Sequence, residues 1–188
     1  MRPLIVTEFI SLDGVVEAPG GEEGYRHSGW TFDIEQDPTM YDFKLEEARE
    51  AEVLVLGRRT YEGFSAAWPE RSGEFADKLN TMPKYVVSST LENPSWTNTT
   101  VVSSVEDVAA LRAGEGGAIQ VAGSISLVQA LHRAGLVDQW NLMVFPVILG
   151  SGRTLFPTDA DDMQKLQLAE ARTYSNGVQL QVFRAAAI

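Results

Sequence analysis

The sequence predicts an α/β domain built on a largely parallel sheet covered on both faces, with an antiparallel pair of strands at its C-terminal end. Three observations carry that expectation. Short β-branched runs alternate with helix-period stretches from residue 53 onward. The runs end in turns rich in Gly, Ser and Thr. Finally, Ser175-Asn176-Gly177 separates two late strand-like runs, and Asn-Gly is a strong hairpin signal.

Taken in order, Leu4–Ser11 reads as a first strand, apolar but interrupted by Glu8, and Leu12-Asp13-Gly14 turns it into a long segment rich in Gly, Glu and Pro that ends at Trp30. A segment of that length reads as a mobile loop, either a functional lid or a solvated excursion. From Pro38 to Ala51, Tyr41, Leu45 and Ala48 are spaced as the buried stripe of a helix. Val53–Leu56 is a short apolar strand followed by a helix from Arg58 to Ala67 and a loop at Trp68-Pro69. Lys84–Val87 and Val101-Val102 are further strands. Val105–Arg112 is a helix with Ser104 as its N-cap and Gly114 past its end. Ala118–Ala122 is a strand, Gly123-Ser124 a turn, Ser126–Arg133 a helix closed by Ala134-Gly135, and Trp140–Leu149 a long apolar strand. Leu166–Tyr174 and Val178–Arg184 form the hairpin. No internal repeat or low-complexity linker divides the chain, so residues 1–188 are expected to form one domain.

The composition narrows function. A chain of 188 residues, 44% hydrophobic and 22% charged, suits a soluble domain with a full core. Its formal charge of −11 argues against a protein that tracks nucleic-acid phosphates. There is no cysteine, hence no disulfide, thiolate metal site or catalytic thiol. The apolar run Leu4-Ile5-Val6 is too short for a signal core or a membrane span, so a cytoplasmic protein without a membrane partner is expected. Without an export signal, the glycosylation pattern at Asn98-Thr99-Thr100 carries no weight. His27 and His132 are too few and too far apart for a zinc site, and no metal is expected. His132 suits a helix C-terminus, and His27 is a weak substrate contact. No G-x-S-x-G elbow, G-x-G-x-x-G fingerprint or Walker lysine occurs.

Chemistry gathers instead at three strand ends. They are Gly57-Arg58-Arg59-Thr60, Ser88-Ser89-Thr90 and Gly123-Ser124-Ile125-Ser126. A strand that ends in Gly before a helix brings free backbone N–H groups and a positive dipole to one point, which favours a phosphate. Arg58 and Arg59 add forked cationic donors. In a parallel sheet, ligands sit beyond the carboxyl ends of the strands, so the three turns can share one extended phosphorylated ligand. Two adjacent arginines favour a 2′-phosphate and hence NADP over NAD. The plainer reading is that these are ordinary βα turns.

The order of these signatures resembles the dihydrofolate reductase superfamily, and most closely its riboflavin-biosynthesis reductase (RibD C-terminal) branch. The resemblance rests on Ser11-Leu12-Asp13-Gly14, Leu56-Gly57-Arg58-Arg59-Thr60-Tyr61-Glu62, Lys84–Ser89, Val121-Ala122-Gly123-Ser124, and Leu136-Val137-Asp138 leading to Pro146–Gly152. It implies a dihydrofolate-reductase-like three-layer fold with a mostly parallel central sheet and a C-terminal antiparallel hairpin. It also implies NADPH as cofactor. Gly57, Arg58, Arg59 and Thr60 would meet the 2′-phosphate and pyrophosphate, Ser89 and Thr90 the adenosine side, and Gly123, Ser124, Ile125, Ser126 and Leu127 the pyrophosphate. Val16 would lie near the nicotinamide. The implied reaction is hydride transfer to a small pterin- or pyrimidine-type heterocycle, and the implied assembly a homodimer. Two departures stand out. The riboflavin-type substrate Glu is replaced by Ala122, and the pterin-holding carboxylate is contested by Asp33, Asp37 and Asp42, with Asp42 preferred and Asp37 resembling an N-cap. Three functional readings follow: an NADPH-dependent reductase, a catalytically diverged NADP-binding module, and an acidic partner-binding domain without a ligand.

Overall fold

The alternation in the sequence resolves into strands β1 (Leu4–Ser11), β2 (Ala51–Gly57), β3 (Lys84–Val87), β4 (Thr99–Val102), β5 (Ala118–Val121), β6 (Gln139–Phe145), β7 (Leu166–Thr173) and β8 (Gln179–Ala185). Between them lie helices α1 (Pro38–Glu50), α2 (Arg58–Ala67), α3 (Glu74–Thr81), α4 (Val105–Ala113) and α5 (Ile125–Arg133). The computed structural model describes residues 1–156 and 163–186, so positions 157–162 and 187–188 of the expected domain lie outside the described residues. One sheet runs β4-β3-β2-β5-β1-β6-β8-β7. The pairings from β4 through β6 are parallel, and β8 is antiparallel to both β6 and β7. This is the predicted architecture. Ser175-Asn176-Gly177 makes the β7–β8 turn, with Gly177 at φ 85°, a conformation open to Gly at little cost.

Side-chain alternation along β1 sorts the layers. Leu4, Val6 and Ile10 pack against Val108 of α4 and Leu127, Val128 and Leu131 of α5. Phe9 points the other way, to Phe43 of α1 with Trp30 and Phe145. On that same face, Leu54 and Leu56 of β2 meet Tyr61 of α2 and Leu79 of α3. So α1, which follows β1, and α5, which follows β5, lie on opposite faces although β1 and β5 are neighbours. That is a topological switch point, where a crevice opens beyond the strands' carboxyl ends. The ladders mark the crevice. β1 and β5 pair only from Leu4↔Ile119 to Val6↔Val121, whereas β1 and β6 stay paired from Ile5↔Gln139 to Ser11↔Phe145.

Several elements differ from expectation for physical reasons. In α1, Tyr41 is 42% exposed, and the buried stripe is Met40, Phe43, Glu47 and Ala48. Glu47 belongs there because Thr7, Lys44 and Asn141 all donate to its carboxylate. α3 was unforeseen, since only Ala76 and Leu79 of its eight residues are buried. β6 stops at Phe145 rather than Leu149, because Pro146 has no N–H for the ladder. The long segment up to Trp30 is pinned rather than free. The Trp30 indole donates to the Glu17 carbonyl at 2.8 Å, Thr31 to the Pro19 carbonyl at 2.7 Å, and Tyr25 to the Ser151 carbonyl at 2.6 Å.

Candidate functional site

A groove of about 610 Å³ runs along the carboxyl ends of β2, β3 and β5. Two of its turns are locked back to back. The Gly57 N–H donates to the Gly123 carbonyl at 3.0 Å. A Cβ at Gly57 would stand 2.0 Å from Ser124 Oγ, and one at Gly123 would stand 2.8 Å from Thr60 Oγ1. Gly123 also has φ +91°, and the Gly123–Ser124 peptide is cis. Both glycines are therefore required by close approach of one βα turn to the other. The outcome is that the N-termini of α2 and α5 open side by side.

Those N-termini have no side-chain cap, so their first N–H groups lack an intrahelical partner. α3 likewise starts at Gly73 without a side-chain cap, whereas α1 and α4 are capped. At α4, Asp107 accepts from the Ser104 N–H at 3.1 Å, and at α1, Asp37 accepts from the Thr39 N–H at 2.9 Å. Uncapped ends with aligned dipoles make the groove a place for anionic groups. Positive charge lines it as well. Arg59 and Arg153 are exposed and have no side-chain partner among the described residues, while Arg58 pairs with Glu62 at 2.8 Å.

Of the residues expected from sequence, Gly57, Arg58, Arg59, Ser89, Thr90, Ser124, Ser126 and Leu127 line the groove. Thr60, Gly123 and Ile125 do not line it but belong to the turns that shape it. Val16 is 3% exposed and packs with Ile10, Leu127 and Leu155 below α5. Sequence reasoning missed Ser103, at the end of β4, and Arg153. Arg153 arrives through backbone pairing: Val16 N–H donates to the Arg153 carbonyl at 3.0 Å and Arg153 N–H to the Glu17 carboxylate at 2.8 Å. Asp13 braces the same junction, accepting from Gly150 N–H at 2.8 Å. The Leu12-Asp13-Gly14 and Gly150-Ser151-Gly152 signatures are thus two halves of one substructure.

The contested carboxylates separate clearly. Asp33 and Asp42 are exposed, and Asp42 has no hydrogen-bond or ion-pair partner among the described residues and no place in the groove. Asp37 caps α1 and also accepts from Ser175 N–H at 2.9 Å and Ser175 Oγ at 2.7 Å. Hydrogen bonds from Thr39 and Ser175 hold its carboxyl well below the usual range, so it is a fixed anion that ties α1 to the hairpin turn. His132 stacks edge-on to Trp140 and Phe156, and desolvation lowers its pKa. No cluster of three or more His, Cys, Asp or Glu suited to a metal occurs among the described residues, and among them no helix is long and apolar enough to cross a membrane.

The RibD C-terminal domain matches residues 2–180. The Bacillus subtilis (strain 168) protein YyaP, an uncharacterized protein, is 27% identical over 186 residues, spanning 94% of this chain and 92% of YyaP. A candidate riboflavin biosynthesis protein from Shewanella sp. PV-4 superposes with TM-score 0.76 at 17% identity, over 98% of this chain and 99% of its own. Dihydrofolate reductase from Enterococcus faecalis, solved with NADP(H) and RAB-propyl, superposes with TM-score 0.65 at 16% identity, over 98% and 97%.

Proposed function

This chain belongs to the RibD C-terminal domain family and has a dihydrofolate-reductase-like fold, and from that premise we propose that it is an NADPH-dependent reductase of a small pterin- or pyrimidine-type heterocycle. The observation that carries the reading is the groove itself. Two uncapped helix N-termini, locked together by Gly57 and Gly123, meet the Arg59 guanidinium, which has no side-chain partner among the described residues, within one cleft. That donor set fits a dinucleotide with an extra phosphate. It supplies N–H groups for the pyrophosphate and a guanidinium for the 2′-phosphate.

In this reading Arg58 and Arg59 hold the 2′-phosphate, Ser89 and Thr90 the adenosine ribose, and the first turn of α5 the pyrophosphate. When bound, the reduced nicotinamide supplies a hydride. The protein orients the two reactants and keeps water from the reacting atoms, and Leu127 furnishes part of the groove's apolar wall.

The test compares affinity for NADPH and NADH by calorimetry, in the wild type and in Arg59→Ala. NADPH is expected to bind more tightly, and the substitution to weaken NADPH by about tenfold to a hundredfold, the worth of one charge-assisted hydrogen bond, with NADH unaffected. Equal affinities would remove the 2′-phosphate argument. A panel of reducible pterins and pyrimidines, followed by loss of NADPH absorbance, then tests turnover. The second reading, a diverged NADP-binding module, draws on the apolar Ala122 and the exposed Asp42, and it predicts tight binding without turnover on the whole panel.

A further inference from the structure

β1 carries a carboxylic acid, Glu8, with no hydrogen bond or ion pair among the described residues. Glu8 alternates with Val6 and Ile10, so it faces α5, and across the ladder it stands opposite Leu142 of β6. On its other side the β1–β5 ladder has ended at Val6↔Val121. Glu8 and Gly123 each stand two residues past that last pair, about 7 Å further along their strands. Glu8 thus sits in the switch-point crevice, level with the glycine that shapes the groove. Its Oε1 is sealed from solvent without a hydrogen-bond partner, while the residue as a whole remains partly accessible. An unpaired carboxyl oxygen in an apolar wall is costly if ionised. Such a group persists where it has chemistry to do.

We propose that Glu8 is the acid of the reaction, delivering its proton from the β1–β5 crevice to the heteroatom of the C=N or C=O bond whose carbon receives the hydride. This rests on the reductase reading above. In the step the π-bond of the substrate breaks and a C–H bond forms with hydride from the reduced dinucleotide, which is oxidised. The freed electron pair takes the Glu8 proton to form N–H or O–H, and the Glu8 O–H breaks to leave a carboxylate that solvent reprotonates. Burial pushes the Glu8 carboxyl up to about 8, so it holds its proton at neutral pH. The charges acting on it are Lys44 of α1, which lowers the value, and Glu22 of the long loop, which raises it. Lys44 is held by Thr7 and Glu47 on the opposite face of the sheet. The first five residues of α5, Ile125 to Gln129, carry no charge.

The decisive experiment labels glutamate with 13C at the carboxyl and assigns Glu8 by the resonance missing from Glu8→Gln. The wild type is then titrated alone, with NADP+ and with NADPH, while tryptophan fluorescence reports binding. Alone, Glu8 is expected to titrate near 8. NADP+ should lower its midpoint by about one unit or more relative to NADPH, because a cationic ring within reach favours the carboxylate. A midpoint in the ordinary carboxylate range would overturn the proposal. So would a midpoint that ignores NADP+ while fluorescence shows it bound. Absence of any fluorescence response to either dinucleotide would instead overturn the reductase reading, and the acid role with it.

Discussion

Thr7 and Glu8 are consecutive residues of β1, and the two faces of the sheet treat buried polar groups in opposite ways. On the Thr7 face the Glu47 carboxylate accepts from Thr7 at 3.1 Å, Lys44 at 2.9 Å and Asn141 at 2.7 Å. Lys44 also donates to Thr7 and lies over the Phe9 ring. On the Glu8 face one carboxyl oxygen has no hydrogen-bond partner among the described residues. A saturated cluster of this kind locks α1 to the sheet, since every member loses if one leaves. An unsaturated acid contributes little to packing and stays available. Helix ends differ too: α1 and α4 are capped by side chains, while α2 and α5 open uncapped on the groove and α3 starts uncapped away from it.

The contrast is broken most severely by Glu47→Ala, which leaves Lys44 and Asn141 without their acceptor. We expect a loss of about 3–5 kcal/mol in urea unfolding. A change under about 1 kcal/mol would mean that the cluster is not structural. Next in size is Gly57→Ala, whose Cβ would meet Ser124 Oγ at 2.0 Å. It should cost about 1–3 kcal/mol and weaken NADPH, with part of both regained in the Gly57→Ala/Ser124→Gly double variant.

Glu8→Gln sharpens the comparison through pH. Because the folded pKa is raised from 4.5 to about 8, the stabilising proton is fully present below the unfolded value and is lost as pH rises through the folded one. The wild type should therefore lose thermal stability relative to Glu8→Gln between pH 4.5 and about 8, and parallel Tm curves would count against a buried acid. The smallest effect belongs to Asp42→Asn. An exposed, unpartnered carboxylate should change stability by less than about 0.5 kcal/mol and leave NADPH affinity where it was.

The sequence made some of this legible because the cause is local. Gly57 and Gly123 each end a β-branched run, and the backbone demand at a strand-to-helix turn is written in those few residues. Asn176-Gly177 marked the hairpin for the same reason. What stayed hidden depends on distant partners. In the sequence Glu47 belongs to the solvated side of the helix until Thr7 and Asn141 are brought to it, and without it the apolar spacing runs through Tyr41. The observed stripe is turned by about one residue, about 100°, from the expected one, and Asp42 lies on the exposed side of the helix. Arg153 enters the groove only because Val16 pairs with its backbone. Glu8 was visible only as an interruption in an apolar strand, since its meaning depends on where the β1–β5 ladder ends.

The central claim is that the groove over β2, β3 and β5 is a dinucleotide site selective for the 2′-phosphate. Calorimetric titration of the wild type with NADPH and with NADH tests it most directly. The account predicts one NADPH per chain bound at least about tenfold more tightly than NADH, a difference of about 1.4 kcal/mol. Equal binding of the two, or binding of neither, would contradict it.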